Sequence, residues 1–266
     1  MIGRLALPDP YRVWNQAWGA PFGREVPGWW LRWLRLPGVA TLAGRRAGPF
    51  SFQPNNSTRR WEYPWAFHAV PLRPGMRVID LGGALSGLQF VLARSGAKVL
   101  NVDPFIDYGT SGEYAAVDPG ERLRQLNQLF GTTVELRRCV LEQAGLAPGS
   151  VDVVYCISTI EHLAPEAMLA SATEIVRVLR PGGHAVLTID LFLDLEPFTT
   201  RTHNRWGTNI DVCDLVEATG LELVVGTTSE LFGYPDFDVD AIQSNLSDYL
   251  VGDYPGLAQC LMLRKA

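Results

Sequence analysis

From Arg77 onward, apolar positions alternate between two periods. Short apolar runs of strand length fall at 76–81, 97–103, 133–137, 150–157, 184–189, 222–226 and 257–264. Between them lie segments whose apolar residues recur at helical spacing, predicting helices over 89–95, 119–130, 165–177 and 211–219. Pro165 opens one of these helices and Gly220 closes another, as expected for residues that start and stop a helix. Strands that alternate with helices imply a mostly parallel sheet with helices on both faces.

The first seventy-five residues follow a different pattern. They carry Trp14, Trp18, Trp29, Trp30, Trp33, Trp61 and Trp65, leaving one tryptophan for the rest of the chain. Residues 28–36 have an apolar helical face with Arg32 and Arg35 opposite, which Pro37 and Gly38 break. Residues 44–56 read as a loop, and 59–69 as a helix just before the first strand. The expected organisation is therefore an aromatic N-terminal cap over 1–72 and an α/β domain over 73–266. Two connections in that domain, 192–209 and 229–255, are long and irregular, which marks them as functional candidates.

The most informative stretch is Met76-Arg-Val-Ile-Asp-Leu-Gly-Gly-Ala-Leu-Ser-Gly87. A strand ends in Asp80, a tight turn passes Gly82 and Gly83, and a helix follows; the next strand ends in Asp103. Glycines allow a ligand to approach backbone that a Cβ would shield. A second acid, 23 residues after the first, stands near the spacing at which a carboxylate meets ribose hydroxyls. An adenosine-containing cofactor follows. The turn lacks G-x-G-x-x-G, and a carboxylate two residues before the first glycine suits an ammonium better than a pyrophosphate. S-adenosylmethionine has that ammonium and no phosphate.

At these residues the chain resembles the class I S-adenosylmethionine-dependent methyltransferases. Val78-Ile-Asp-Leu-Gly82 is similar to the family's first motif and Val99-Leu-Asn-Val-Asp103 to its second. The segment from Ser150 to Leu163 resembles the fourth strand and its turn. Glu174 to Ile189, with Pro181-Gly-Gly183 inside it, resembles the following helix, turn and fifth strand. The resemblance covers roughly 73–191. It implies a Rossmann-like seven-stranded, mostly parallel sheet whose last strand inserts antiparallel, with S-adenosylhomocysteine as the product. It also implies cofactor contacts at Asp80, Gly82, Gly83, Asp103, Pro104, Glu142 and Ser158, with Tyr63 and Trp65 of the cap helix turned towards the sulfonium. Two departures stand out: Ala84 and Ser86 occupy positions usually held by glycine, so the loop is tighter or differently bent, and where an acid usually follows the third strand near the adenine the chain offers Leu141 and Glu142.

Four histidines limit the choice of base. His162, just after the fourth strand, is the leading candidate for the catalytic base, with His203 second; His68 and His184 are read as structural. Glu161, Arg201, Arg205 and Trp206 are candidates for holding a substrate, the arginines because their forks match carboxylate or phosphate. Asp190 closes the fifth strand and either reaches the pocket or caps the next turn.

Composition narrows the partners. The 266-residue chain is 47% hydrophobic with a net charge of −5. Ten arginines and three acids up to Gly75 give that segment +7, leaving −12 for the remainder. An acidic catalytic body and no Asn/Asp-Pro-Pro-Tyr-like motif after the fourth strand disfavour a nucleic-acid substrate. No apolar run of eighteen residues and no signal pattern are seen, so a soluble cytoplasmic protein without stable membrane insertion is expected. Cys139, Cys156, Cys213 and Cys260 stand singly, and no acid/His cluster suggests a metal. The reading is a methyltransferase acting on a small natural-product or sugar-like molecule, with a homodimer compatible with the surface aromatics. The alternatives are a peptide or protein methyltransferase, a non-catalytic cofactor-binding partner subunit, and a nicotinamide oxidoreductase. The missing G-x-G-x-x-G argues against the last.

Overall fold

The computed structural model describes residues 1–25, 38–105 and 118–266. Seven strands form one sheet: β1 (Arg77–Leu81), β2 (Lys98–Val102), β3 (Glu135–Arg137), β4 (Val151–Ile157), β5 (Leu179–Phe192), β6 (Glu222–Val225) and β7 (Gly256–Arg264). Their order is β3-β2-β1-β4-β5-β7-β6. The first five pair in parallel, and β7 runs antiparallel to both β5 and β6. The Rossmann-like sheet expected from the sequence is therefore present, including its inverted last strand. The chain runs outward from β1 in one direction and from β4 in the other, so the crevice of the fold opens at the carboxyl ends of these two neighbours.

Eight helices are described: α1 (Asp9–Trp18), α2 (Val39–Ala47), α3 (Arg59–Ala69), α4 (Gly87–Arg94), α5 (Pro119–Phe130), α6 (Pro165–Val178), α7 (Val212–Thr219) and α8 (Val239–Ser244). Aspartates cap several of them. Asp118 accepts the Glu121 N–H at 3.0 Å and Asp211 the Asp214 N–H at 2.8 Å, satisfying helix donors that have no intrahelical acceptor.

The central strands are apolar on both sides because both faces of the sheet are covered. On one face Val78, Val99, Val153, Tyr155 and Val186 join α4 and the cap aromatics Trp14, Phe50, Trp61, Tyr63 and Trp65 in a continuous core. On the other, Ile79, Val154, Cys156 and Leu187 meet Ile175 and Val178 of α6 and Leu215 of α7. The cap thus packs directly on the sheet. Its first residues also extend the sheet, with Ile2 bridging Gln259 on the part of β7 that the short β6 leaves uncovered.

One expectation is overturned. Residues 44–56 are not a loop: α2 continues to Ala47 and a 3-10 turn follows over Pro49–Phe52. Gly44 sits inside α2, where a Cβ would lie 3.0 Å from Leu129 Cδ2, so the glycine serves a close approach to α5 rather than a turn. The helix expected over 28–36 lies outside the described residues. Among the described residues no helix is long and apolar enough to cross a membrane.

Candidate active site

The site is built where β1 and β2 end. Asp80 is 1% exposed and Asp103 is 7% exposed. Both oxygens of Asp103 accept backbone N–H groups, from Ala84 at 2.8 Å and Phe105 at 2.7 Å. Asp103 therefore pins the glycine turn to the end of β2. The turn leaves little room: a Cβ on Gly82 would stand 2.3 Å from Thr159 Cγ2, and one on Gly83 would stand 2.2 Å from Asp80 Oδ2. Gly82 has φ +66°. The departures from the glycine pattern now have geometry. Ala84 keeps a left-handed conformation, φ 47°, despite its methyl group, a strain of about 1 kcal/mol. Ser86 turns its hydroxyl towards Asp80, 3.5 Å from Oδ2.

Burial, reinforced by the Asp103 charge, pushes the Asp80 carboxyl up to about 7, and Ser86 only partly offsets this. Burial also raises Asp103, against the pull of its two backbone donors. Tyr155 is paired in register with Asp80, its hydroxyl is buried without a partner, and the Asp80 charge acts on it. Two acids and an orphaned hydroxyl beneath a glycine turn fit a cofactor that brings positive charge and its own hydrogen-bonding groups.

A second constellation lies at the ends of β4 and β5. Glu62 of α3, fully buried, pairs with Arg59 at 2.5 Å and accepts the Thr188 hydroxyl at 2.5 Å. Asp190, also fully buried, receives two hydroxyls on Oδ2: Ser158 at 2.9 Å and Tyr254. Its backbone N–H donates to Glu161 Oε1 at 3.1 Å. Oδ1 of Asp190 and Oε2 of Glu161 have no partner. Burial raises both carboxyls; the charges of Glu161 and Glu62 add to the rise at Asp190, whereas hydrogen bonds and Arg59 oppose it at Glu161. Arg59 faces this group: burial opposes its charge, and Glu62, Tyr63, Asp190 and Tyr254 more than compensate. Ser158 is in the left-handed region, φ 50°, with its N–H on the Thr188 carbonyl at 2.9 Å. Such strain in a non-glycine residue persists only where surroundings over-determine it.

The rim above is aromatic. The Tyr254 ring lies 4.8 Å from Trp206 and 5.8 Å from Phe192. His162 is exposed, and its Nδ1 is hydrogen-bonded to the Trp206 carbonyl. Since that oxygen can only accept, Nδ1 carries the proton and Nε2 is the acceptor nitrogen.

The structure brings Asp80, Gly82, Gly83 and Asp103 together at one end of β1 and β2, with Pro104 half-buried beside them. Ser158 and Glu161 join the neighbouring acid network. Tyr63 and Trp65 are buried in the core shared by cap and sheet, and the Tyr63 hydroxyl donates to Asn55 Oδ1 at 2.8 Å. Glu142 is exposed on a 3-10 turn after β3. His203 is exposed on the 192–209 connection. On the same connection Arg201 is held by Asp194 at 3.0 Å, and Arg205 lies over the Trp206 ring at 4.2 Å. His68 stacks on Tyr11, 5.9 Å between centroids, and His184 is the register partner of Val153 in the parallel pairing of β5 with β4. Sequence reasoning passed over Arg59, Glu62, Thr188 and Tyr254. The signal for one of them was present: Thr188 stands two residues before Asp190, both polar in an otherwise apolar strand. Among the described residues no group of three or more His, Cys, Asp or Glu side chains could hold a metal ion.

Residues 79–187 match the family model described as Methyltransferase domain. The sheet order and the glycine turn agree with this match, and the stretch is similar to class I S-adenosylmethionine-dependent methyltransferase domains. The ubiquinone biosynthesis O-methyltransferase of Cupriavidus pinatubonensis is 27% identical over 168 residues, covering 56% of this chain. The chain spans 61% of that relative's length. Among solved structures, an S-adenosylmethionine-dependent methyltransferase from Mesorhizobium loti is 18% identical with a TM-score of 0.51, covering 77% of this chain and 97% of its own. The [4+2]-cyclase SpnF is 16% identical, also with a TM-score of 0.51, over 76% of this chain and 80% of its own. A fold shared with a cyclase does not by itself fix the reaction.

Proposed function

We propose that the chain is an enzyme that transfers a methyl group from S-adenosylmethionine to an oxygen or nitrogen of a small molecule. The observation that carries this reading is the pair of buried acids, Asp80 and Asp103, closing adjacent strands around the glycine turn. A positively charged cofactor relieves their mutual repulsion, whereas a pyrophosphate would add to it. When bound, the cofactor supplies a methyl group on a sulfonium whose leaving group is already activated.

The residues of the chain supply binding and position. Asp103 uses one lone pair of each oxygen on the backbone and keeps the others for ribose hydroxyls. Tyr155 offers its unpartnered hydroxyl beside Asp80. His162, with Nδ1 committed to Trp206, presents Nε2 at the rim as acceptor for the proton of a substrate hydroxyl. Glu161 and the 192–209 connection border the substrate side. The name of the Cupriavidus relative supports a small O-methyl acceptor, as do the two long connections that can enclose one. A peptide acceptor and a cofactor-binding partner subunit are the competing readings.

Calorimetric titration with S-adenosylhomocysteine, followed by transfer of labelled methyl to a panel of phenols and amines, tests the proposal. One binding site per chain and label in a small acceptor are expected. A folded sample that does not bind the homocysteine product would sink the reading.

A further inference from the structure

The basic N-terminal segment has no task in methyl transfer as derived above. On the outer side of the cap, α1, the turn after it and α3 line a solvent-open cavity of about 610 Å³. Arg12, Arg24 and Arg60 line it together with Asn15 and a single acid, Glu25. Consecutive residues of α3 serve different sides of the molecule. Arg59 turns inward to Glu62 and the acids at the ends of β4 and β5, whereas Arg60 is exposed at the cavity. None of the candidate active-site residues lines this cavity.

Its polar groups ask for a ligand of particular chemistry. Arg12 pairs with the exposed Asp9, and Arg24 donates to the Ala17 carbonyl, each through one terminal nitrogen of a fork that carries five donors. Asn15 is 9% exposed, and its Nδ2 donates to the Arg60 carbonyl at 2.8 Å. That bond orients the amide and leaves Oδ1 buried with no partner, a costly state for an acceptor. The wall behind is held firmly. Gly23 has φ +86°, a Cβ there would lie 2.3 Å from Ser51 Cβ, and the next N–H donates to Ala47 O at 2.6 Å.

We propose that this cavity binds the phosphate group of a small phosphorylated molecule. Three guanidiniums match the oxygens of a dianion. The volume lies within the range of small-molecule sites. The site is independent of the methyl-transfer reading.

The full chain is titrated calorimetrically at low ionic strength with inorganic phosphate and with glycerol phosphate. In parallel it is sedimented with phosphatidylcholine vesicles with and without phosphatidic acid. Saturable binding is expected in solution, weakening with added salt. Arg60→Gln or Arg12→Gln lowers affinity about fivefold, and Glu25→Gln raises it about twofold. All three side chains are exposed, and the gain with Glu25→Gln cannot arise from misfolding. Affinity for S-adenosylhomocysteine stays unchanged in each variant. Binding that requires phosphatidic acid vesicles, with the same response to the variants, assigns the phosphate to a lipid headgroup at this site. No saturable binding in any arm, or binding indifferent to Arg60→Gln and Glu25→Gln, overturns the proposal.

Discussion

Asp80 makes cofactor affinity depend on pH in a direction that can be worked out. Its carboxyl is raised from 3.8 to about 7 by burial first and by Asp103 second. In the apo-protein the protonated form is the comfortable one. The folded state therefore loses stability as pH rises from about 4 to about 7, at up to about 1.4 kcal/mol per unit. A ligand ammonium reverses the preference, since it pairs with the ionised form. S-adenosylhomocysteine carries that ammonium throughout the range, so binding below pH 7 must expel the proton from Asp80. One unit below the raised value only about a tenth of the protein is ionised, and apparent affinity falls by about tenfold per unit on further acidification. Calorimetry between pH 5.5 and 8.5, in buffers of different ionisation enthalpy, reads both the affinity and the proton released (roughly one per site at the acid end). Asp80→Asn removes the titration, giving weaker binding that is flat across the range. Wild-type affinity that is flat through neutrality, or the same pH dependence in Asp80→Asn, would refute the reasoning.

Three further outcomes follow from the geometry. Gly83→Ala brings a Cβ to 2.2 Å from Asp80 Oδ2 and displaces that carboxylate; overpacking of this kind costs about 1–3 kcal/mol. Affinity for S-adenosylhomocysteine should fall at least in proportion, and an unchanged value would show that Asp80 does not meet the ligand. Glu62→Gln leaves Arg59 buried with a weakened partner, a loss of up to about 3–5 kcal/mol, and thermal melting that matches wild type would count against the pair as a structural anchor. His162→Ala should lower turnover about tenfold or more, the usual reach of a positioned base, while product affinity holds; an equal rate removes His162 from the mechanism.

What the sequence disclosed about this protein was what is local in it. Asp80, the two glycines and Asp103 lie within one strand-turn-helix-strand unit, and the strand lengths fix their spacing, so the turn and its two acids could be read residue by residue. A mostly parallel sheet followed from the same alternation, and its inverted last strand from the family resemblance alone. Gly44 shows where local reading fails. Read alone it signals a turn, yet it is a helix residue whose missing side chain admits Leu129 from α5, and tertiary approach overrides propensity there. Arg201 shows another limit: its fork suits an anionic substrate, and the fold also pairs one of its terminal nitrogens with Asp194 of its own loop, a contact that no local pattern announces. The acid network lies further still from local signals, since Glu62 meets Thr188 across 126 positions and Tyr254 meets Asp190 across 64. No periodicity links such partners. What the chain does display is the demand for them: a threonine and an aspartate set into a buried strand, and an Arg-Glu pair in an aromatic helix, are groups that desolvation leaves unstable unless something distant answers. Polar residues that break an otherwise apolar pattern therefore mark the buried acid network at the ends of β4 and β5 as clearly as the glycines mark the turn after β1, although only the fold shows which of them meet.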